Sequence, residues 1–429
     1  MQKRTPATDM PTSLRGIANK AVQNQADRFQ NLMQLLTVGF LLSCWRLVNK
    51  RAAAGVDLER AYHYAQNLES NVSDLAESVK GGWYRAKVVL RKYIPKLNGK
   101  WRPLGIPAIV DKRLQMAVAK ILEAIYEQDF RSGSFGYRPG TGAHQAIKEL
   151  SAVLRSGTHT TVVEADIKGF FDHIDHTPLL DLLKRRIDDQ PFLKLIEKWL
   201  KAGILDTDGQ IIHPATGTPQ GGIGSPMLAN GYRHHALDEW FEDLVKTHGQ
   251  GRAYLGRYAD DLVGVFEYES DAQRFYQALP KRLAQYGLEV AEEKTRRIQF
   301  DTNAKTHFEF LGFEFRWGLN HRRQRALKRR TARSKYRASI ASFKQWCQTH
   351  CQWPKAQWFK ELNVKLRGDW NDYGIRGNYE SLSDDLYQIT RVLFNGLNRR
   401  SQRKSYTWAG FRALLKDFPL IKPRICQAF

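Results

Sequence analysis

Two adjacent aspartates between short apolar runs constrain the fold of this chain more than any other feature. They are Asp260 and Asp261 in the stretch GRYADDLVGVF, residues 256–266. The pattern predicts a β-hairpin with both carboxylates at its turn, anchored by the apolar strand that follows. Crowded carboxylates are costly unless something pairs with them, and the turn itself has no lysine. A divalent cation is the natural partner, and Mg²⁺ combines one or two carboxylates with water and phosphate oxygens.

A third carboxylate ends another predicted strand. The β-branched run TTVVEAD, residues 160–166, indicates a buried strand that terminates at Asp166. With Asp260 and Asp261, it could hold two Mg²⁺ ions roughly 3.5–4 Å apart, the arrangement used for in-line phosphoryl transfer. An Asp-Asp turn alone is more often structural. The interpretation therefore depends on the whole set, which includes the Gly/Pro-rich loop TPQGGIGSP at 218–226.

The charge of the chain indicates the kind of partner. Lys and Arg number 67 against 44 Asp and Glu, a net charge of +23 over 429 residues. Such a surface attracts polyanions, with nucleic acid the first candidate and an anionic membrane surface the second. The four cysteines do not make a disulfide framework, the N-terminus lacks a signal peptide, and the most apolar stretch, residues 35–45, is too short to span a bilayer. We expect a cytoplasmic protein without a membrane partner.

Periodicity predicts a mixture of helices and strands. Residues 14–85 have helical periodicity, residues 87–107 form a basic hairpin, and strands and helices are mixed up to about 315, which predicts an α+β fold. The stretch from Phe315 to Lys360 has no acidic residue, and this shift in composition predicts a domain boundary near residue 318. If residues 322–337 are helical, their basic side chains occupy about four turns and face all directions.

A basic surface of this density predicts contact with nucleic acid, because a polyanion relieves its self-repulsion. The candidates in this segment and in the basic, aromatic-rich end of the chain are Arg322, Arg323, Arg325, Lys328, Arg329, Arg330, Arg333, Lys335, Arg337, Arg399, Arg400, Arg403 and Lys404.

Several motifs follow one another in order along the chain. They are YIPKLNGKWRPLGIPAIVDK (93–112), SFGYRPGTGAHQAI (134–147), VVEADIKGFFDHIDH (162–176), GTPQGGIGSPMLAN (217–230), RYADDLV (257–263), GLEVAEEKT (287–295), FEFLGFEF (308–315), GDWNDYG (368–374) and LNRRSQRKSYTWAGF (397–411). In this order they resemble the blocks of the group II intron reverse transcriptases, the multifunctional reverse transcriptase/maturase family. The resemblance covers nearly the whole chain, from about residue 14.

The resemblance implies a right-hand polymerase with fingers and palm, followed by a helical thumb, or maturase, domain. Its ranges are an N-terminal extension and the start of the fingers at 1–90, the fingers/palm reverse transcriptase domain at 91–318, the thumb/maturase domain at 319–398 and a basic C-terminal tail at 399–429. Two positions, Gly224 and Asp369, depart from the expected pattern. The chain ends soon after the thumb, with Cys426 alone near its end, so we do not expect the metal-dependent endonuclease that many members carry.

The resemblance also implies roles for single residues. Asp166 and Asp260 would be the principal metal ligands, with Asp261 secondary and the backbone carbonyl of Ile167 a further ligand for two Mg²⁺ ions. Five residues would bind the nucleotide. The fingers residues Lys96 and Arg102 would hold the triphosphate, and Phe171 would stack under the sugar. Gln220 would line the nucleotide pocket, and Lys294 would lie near the leaving pyrophosphate.

The implied function is RNA-directed DNA synthesis combined with binding of the parent group II intron RNA. The implied partners are that intron RNA, an RNA template with a DNA primer, dNTPs and target DNA, with association to the nucleoid during work on DNA. Two alternatives remain open. The chain could be a free-standing reverse transcriptase recruited to phage defence or repair, or an RNA-binding splicing factor with little polymerase activity.

Overall fold

The structure is a computed structural model that describes residues 12–95, 101–218, 220–399 and 405–427. Helices and strands are mixed along the chain. The helices within the described residues are α1 (Thr12–Gln23), α2 (Val38–Trp45), α3 (Ala61–Gln66), α4 (Leu68–Lys80), α5 (Ile109–Tyr126), α6 (Ala143–Arg155), α7 (Phe170–His173), α8 (His176–Lys184), α9 (Gln190–Leu200), α10 (Ser225–Arg233), α11 (Glu269–Ala284), α12 (Arg333–Thr349), α13 (Lys355–Tyr373), α14 (Tyr379–Asn398) and α15 (Trp408–Asp417). The strands are β1 (Val89–Pro95), β2 (Trp101–Ile106), β3 (Thr161–Asp166), β4 (Ile204–Leu205), β5 (Ile211–Ile212), β6 (Ala253–Tyr258), β7 (Asp261–Phe266), β8 (Arg296–Gln299), β9 (His307–Phe310), β10 (Phe313–Leu319) and β11 (Arg325–Thr331).

The N-terminal helices pack around α5. This helix is buried over most of its surface and contacts α1 and α2. The helical periodicity of residues 14–85 is confirmed where α1 to α4 form, while residues 24–37 and 46–60 between these helices are not α-helical. The most apolar stretch of the sequence contributes α2, whose Leu41, Cys44 and Trp45 are buried. No helix among the described residues has both the length and the apolar character needed to cross a membrane.

The sheet that carries the three aspartates has the strand order β6-β7-β3-β8. All its neighbouring strands run antiparallel. Its core is the β-branched residues expected from the sequence, since Val162, Val163, Val263 and Val265 are fully buried. Helices α6 and α11 pack on the sheet, α6 against β6 and α11 against β3 and β7. The sheet is therefore a rigid base for the residues at the ends of β3 and β7.

The basic hairpin predicted over residues 87–107 is formed by β1 and β2. The two strands pair from Leu90 opposite Ile106 to Pro95 opposite Trp101, and β1 also pairs in parallel with β4. Exposure increases along β1, from a buried Val89 to an exposed Pro95. The hairpin therefore extends from the body of the protein as a basic arm.

The helical interpretation of residues 322–337 is wrong for most of the segment. Residues 325–331 form β11, which pairs with β10 so that Phe315 lies opposite Arg329 and Trp317 opposite Leu327. The chain reverses over residues 320–324, and helix begins only at Arg333. The physical reason is the apolar strand β10, whose unpaired edge accepts a seven-residue partner that basic composition alone does not reveal. The composition shift near residue 318 falls inside β10.

The last helices, α12 to α15, form a separate hydrophobic cluster. Trp358, Leu362, Leu366 and Trp370 of α13 are almost completely buried in it. Residues of α12, α14 and α15 complete the cluster. The chain thus has helical layers at both ends and sheets between them.

Candidate functional site

The turn between β6 and β7 has only two residues, Ala259 and Asp260. Tyr258 pairs with Asp261 on either side of it, and Ala259 has a left-handed φ of 51°. Gly136 packs so closely beneath the turn that a Cβ there would lie 2.3 Å from the Ala259 nitrogen. The tight turn and the close support fix the direction of the Asp260 side chain.

Arg257 holds this hairpin from inside the protein. It is 1% exposed, and its guanidinium donates to Asp238 Oδ2 at 2.7 Å and to Asn230 Oδ1 at 3.2 Å. It also donates to Ser134 Oγ at 2.6 Å. Because this buried ion pair has good geometry and further hydrogen bonds, it ties β6 to the helix that follows the Gly/Pro-rich loop.

The register of the sheet puts two carboxylates face to face. Asp166, the last residue of β3, lies directly opposite Asp261, the first residue of β7. The Asp261 side chain reaches solvent, but desolvation by the surrounding protein raises the pKa of its carboxyl to about 6, and the charges of Asp166 and Asp260 add to the effect. Like charges directly opposite each other destabilise a sheet. The site is therefore one that a cation would stabilise.

Lys294 supplies one such cation. It ends a short 3-10 turn, Glu292–Lys294, and its ammonium group donates to Oδ2 of Asp166. This hydrogen bond raises the pKa of Lys294. The side chain is 62% exposed, so the contact can be exchanged for another without a large cost of desolvation.

Arg233 supplies a second cation, which was not identified from the sequence. Its side chain is completely buried, its Nη1 donates to Asp260 Oδ1 at 3.1 Å, and its guanidinium lies 4.1 Å from the centre of the Phe170 ring. Burial lowers the pKa of Arg233 to about 9, and the neighbouring charge of Arg257 contributes. An arginine within the apolar face of α10 is the one sequence signal that could have indicated this role.

The backbone bridge at Ile167 does not use the Ile167 carbonyl as a hydrogen-bond acceptor. Ile167 lies opposite Val290, but the bridge is made by its neighbours: Lys168 N–H donates to the Glu289 carbonyl and Ala291 N–H to the Asp166 carbonyl. Neither hydrogen bond uses the Ile167 oxygen. The donor set is therefore three carboxylates and an adjacent carbonyl, all hard oxygen ligands of the kind that Mg²⁺ prefers.

Phe171 lies beside the aspartates at the start of the short helix α7. Its ring is 7% exposed and meets the ring of Tyr137 edge-on at a centroid distance of 6.4 Å. Tyr137 has a left-handed φ of 58° and is 51% exposed. Its pKa is raised, first by desolvation and then by the charge of Asp260. The two rings therefore border the aspartate site.

Gln220 belongs to the Gly/Pro-rich loop, and its backbone joins this loop to β2, the strand that carries Arg102. The Gln220 carbonyl accepts a hydrogen bond from Gly105 N–H of β2 at 2.5 Å, and Thr218 N–H donates to the Phe171 carbonyl at 2.8 Å. A cavity of about 300 Å³ opens between these elements. Arg102 is exposed on β2. Lys96, the other fingers residue predicted to hold a triphosphate, lies outside the described residues.

The basic residues predicted to bind nucleic acid are divided among several elements. Most are exposed, including the turn residues Arg322 and Arg323 and the α12 residues Arg333 and Arg337. The charge of Lys335 on α12 partly opposes the rise in the pKa of Asp261 that desolvation causes. Of the four C-terminal candidates, Arg399 follows α14 and is exposed, while Arg400, Arg403 and Lys404 lie outside the described residues.

Two of these arginines make contacts within the protein. Arg329 is 8% exposed and donates to Ser151 Oγ at 3.1 Å and to the Arg376 carbonyl at 2.9 Å. Burial lowers its pKa to about 10. Arg330 pairs with the buried Glu314 at 2.8 Å. Arg325 and Lys328 also lie on β11, with Arg325 exposed and Lys328 half-buried.

Comparison with known proteins gives a family match. Residues 94–315, just over half of the chain, match the family described as reverse transcriptase (RNA-dependent DNA polymerase). The chain is 46% identical over 177 residues to the group II intron-encoded protein LtrA of Lactococcus lactis subsp. cremoris, which is 41% of this chain and 29% of that protein.

Two further relatives are similar to parts of the chain. The protein YkfC of Escherichia coli (strain K12) is 34% identical over 251 residues, 57% of this chain and 65% of that protein. An uncharacterized 91 kDa protein in a cob intron of Schizosaccharomyces pombe is 40% identical over 173 residues, 40% of this chain and 21% of that protein. The chain spans less than two thirds of the length of each of these relatives.

Proposed function

Because the chain belongs to the reverse transcriptase family, we propose that it is an RNA-directed DNA polymerase that copies an RNA template into DNA. The observation that carries this proposal is the register of β3 against β7. It puts Asp166 opposite Asp261 and next to the turn that holds Asp260. Desolvation raises the pKa of Asp261, the charges of Asp166 and Asp260 add to the rise, and cations bound between these carboxylates would relieve the repulsion.

Two Mg²⁺ ions fit this donor set. Asp166 and Asp260 would be their principal ligands, with Asp261 secondary and the Ile167 carbonyl available. When bound, the ions supply Lewis-acid activation of the primer hydroxyl and neutralise charge on the phosphates. Lys294 and Arg233 hold Asp166 and Asp260 in place by hydrogen bonds. Release of Lys294 from Asp166 would leave its ammonium beside the position of the departing pyrophosphate.

The reaction joins the 3′ oxygen of the primer to the α-phosphorus of an incoming dNTP. The bond between the α-phosphorus and the bridging oxygen breaks, pyrophosphate leaves with the electron pair, and the hydroxyl proton passes to water. Arg102, together with Lys96, would hold the triphosphate by charge. The chain contributes mainly by positioning these groups and by stabilising the charge that develops on the phosphates.

The sugar and base of the nucleotide would be held by Phe171 and the Gly/Pro-rich loop. The Phe171 ring, supported by Tyr137, would stack under the deoxyribose and exclude a 2′-hydroxyl. Gln220 would line the pocket, in a loop that is tied both to β2 and to Phe171 by backbone hydrogen bonds. These bonds couple the arm that carries Arg102 to the sugar side of the site.

The family implies a fingers and palm fold, and the mixture of helix and sheet agrees with it. We propose the finer division as well: an N-terminal extension at 1–90, fingers and palm at 91–318, a helical thumb at 319–398 and a basic tail at 399–429. The cluster of α12 to α15 around Trp358 and Trp370 supports a thumb.

We further propose that group II intron RNA is a partner, with an RNA template, a DNA primer and target DNA, and that the protein associates with the nucleoid. Support comes from LtrA, which is named as a group II intron-encoded protein, and from the net charge of +23. The alternatives of a free-standing enzyme of defence or repair, or of a splicing factor with little polymerase activity, find no such support in the relatives.

Primer extension tests the polymerase proposal. Purified protein with Mg²⁺, dNTPs and a primed RNA template should extend the primer. Asp260→Asn or Asp166→Asn should reduce extension by about three orders of magnitude or more, because a metal ligand is lost, while RNA binding stays close to wild type. Asp261→Asn should have a smaller effect.

Asp181→Asn is a matched control, since the Asp181 side chain is 62% exposed and pairs with Lys184, three residues further along α8. It should extend primers as the wild type does. Extension at the wild-type rate by the Asp260 variant would rule out this assignment of the active site.

A further inference from the structure

We propose that the surface around Trp83 binds an unpaired segment of RNA outside the cleft that holds Asp260. The proposal rests on the proposed function only in taking RNA as a partner. The surface consists of Trp83 and Arg85 after α4, of Lys194 and Lys198 on α9, and of Lys201 directly after α9. These residues line one open depression of about 650 Å³.

Trp83 is exposed although it is a large aromatic side chain. Its relative exposure is 64%, and its ring packs over Gly81, where a Cβ would lie only 1.7 Å from a ring atom. The glycine therefore lets one ring face lie flat against the backbone. An exposed aromatic ring on a charged surface is a typical platform for stacking a nucleic acid base.

The loop that presents Trp83 is firmly held. Lys198 Nζ donates to the carbonyls of Gly82 at 3.2 Å and Tyr84 at 2.8 Å. Tyr84 is buried, and its hydroxyl accepts a hydrogen bond from Trp199 Nε1 at 2.8 Å. The indole is thus presented at low entropic cost, because the backbone on both sides of it is fixed before any ligand arrives.

Lys194 and Lys198 lie on one face of α9, and Lys201 follows on the same side as its C-terminal cap. Their spacing of four and three residues aligns them, while Phe192, Leu195 and other apolar residues of the helix face the core. Like charges at this spacing destabilise a helix. Within the group, Glu197 pairs with Lys201 at 2.6 Å, so one of the three charges is offset. A polyanion bound along this face would relieve the rest of the repulsion.

The surface is separate from the candidate active site. Trp199 and Leu200, on the other side of α9, line the cavity that contains Gln220. The lysine face points away from that cavity. The Trp83 surface therefore lies outside the cavity that contains Gln220. The occupant is an unpaired strand, whose bases can stack on the indole as those of a duplex cannot.

The test measures binding of a labelled, unstructured 20-nucleotide RNA by fluorescence anisotropy. The full-length protein is used, with excess unlabelled blunt RNA–DNA duplex present to occupy the cleft. Trp83→Ala should weaken binding on the order of tenfold, through loss of one stacked base. The double variant Lys194→Ala/Lys201→Ala should flatten the salt dependence by about 1 to 1.5 in log–log slope. Lys198 is left in place because it holds the loop.

Two matched variants control for exposure and charge. Leu58→Ala removes another apolar side chain, 77% exposed, and Lys184→Ala/Lys281→Ala removes two exposed lysines elsewhere. Both should bind the RNA like the wild type. The inference is overturned if Trp83→Ala binds normally, or if the control lysines matter as much as Lys194 and Lys201. A 4-thiouridine RNA should also cross-link to Trp83, and cross-linking only elsewhere contradicts the inference.

Primer extension on the same proteins separates this inference from the proposed function. Trp83→Ala should extend a primer on a short template at the wild-type rate. If the wild type does not extend primers at all, the polymerase proposal fails while RNA binding at Trp83 can still be observed. If extension is normal and RNA binding is insensitive to Trp83, the inference alone fails.

Discussion

At the scale of single residues, the aspartate site depends on a buried arginine behind it. Arg233 donates to Asp260 and lies against Phe170, next to the Phe171 ring. A buried charge is tolerated only where partners compensate it. The same guanidinium therefore links the position of a proposed metal ligand to the packing under the proposed sugar pocket.

Phe171 provides a prediction at this scale. If its ring stacks under the deoxyribose, Phe171→Ala should admit ribonucleotides, with a loss of discrimination on the order of 1–3 kcal/mol. The measurement is the ratio of kcat/KM for dNTP and rNTP. Phe275→Ala is the control, because Phe275 is a core aromatic away from the site, 1% exposed. An unchanged ratio in an active Phe171 variant would assign the ring to the core alone.

At the scale of elements, the basic segment after residue 318 is partly packed into the protein and partly exposed to solvent. Its strand β11 packs against β10 and buries Arg329, whereas the turn before it and the helix after it expose their basic side chains. A β-strand alternates its faces, so adjacent arginines in one run meet different environments. Charge density along the sequence is therefore a poor guide to which arginine meets a polyanion.

This division predicts opposite effects for two sets of arginines. Arg329→Ala should lower the free energy of unfolding by about 2 kcal/mol, because Ser151 and the Arg376 carbonyl lose a charged donor. Arg322→Ala/Arg325→Ala should leave the free energy of unfolding unchanged. It should reduce the slope of log affinity for RNA against log salt concentration by about 1 to 2. Denaturant unfolding and RNA titrations at several salt concentrations measure both. The reverse pattern contradicts the division.

Two acidic residues, Asp369 of α13 and Asp385 of α14, lie near each other in the C-terminal helical cluster. Asp385 of α14 is 6% exposed, and its Oδ1 has no hydrogen-bond partner among the residues that the structure describes. Burial raises its pKa to about 7, with smaller contributions from Asp369 and Asp384. Asp369, which departs from the family pattern, accepts a hydrogen bond from Ser339 Oγ at 3.0 Å, and burial raises its pKa too.

These shifts predict a pH-dependent stability. Because the folded pKa of Asp385 lies above the unfolded value of about 3.9, its contribution is complete below about pH 4 and is lost as the pH rises through about 7. Asp385→Asn should therefore raise Tm by a few degrees at pH 8 and have almost no effect near pH 4. Asp417→Asn, at an exposed position on α15, should change Tm at neither pH.

At the scale of the whole molecule, positive charge surrounds a small acidic site. The net charge of +23 attracts any RNA, and most of that attraction does not depend on sequence. The three carboxylates proposed to bind metal lie at the end of β3, at the start of β7 and in the turn before β7, and they concentrate negative charge there. This general attraction does not distinguish one RNA from another, and structured RNA is recognised mostly by its shape.

Competition binding measures that recognition. We expect the protein to bind its own group II intron RNA at least tenfold more tightly than an unrelated structured RNA of equal length, at near-physiological salt. The Asp260→Asn variant should keep the preference, because binding does not require catalysis. Equal affinity for the two RNAs would remove the intron partner and favour a free-standing reverse transcriptase.

The sequence by itself determined the local features of this protein. The β-branched run before Asp166 and the apolar run after Asp261 specify strands through contacts among near neighbours. The order of the motifs identified the family, and the crowding of acidic residues in a basic chain indicated a cation site. These inferences needed only residues close together along the chain or their order.

Only the tertiary structure decided the contacts between distant segments. The register that sets Asp166 against Asp261 joins residues 95 positions apart, and the bond from Arg233 to Asp260 spans 27 positions. The strand β11 forms because β10 offers it an edge, which overrides the helical interpretation of a basic run. The physical reason is that burial and pairing depend on which surfaces meet after folding, and local propensities are too weak to determine that.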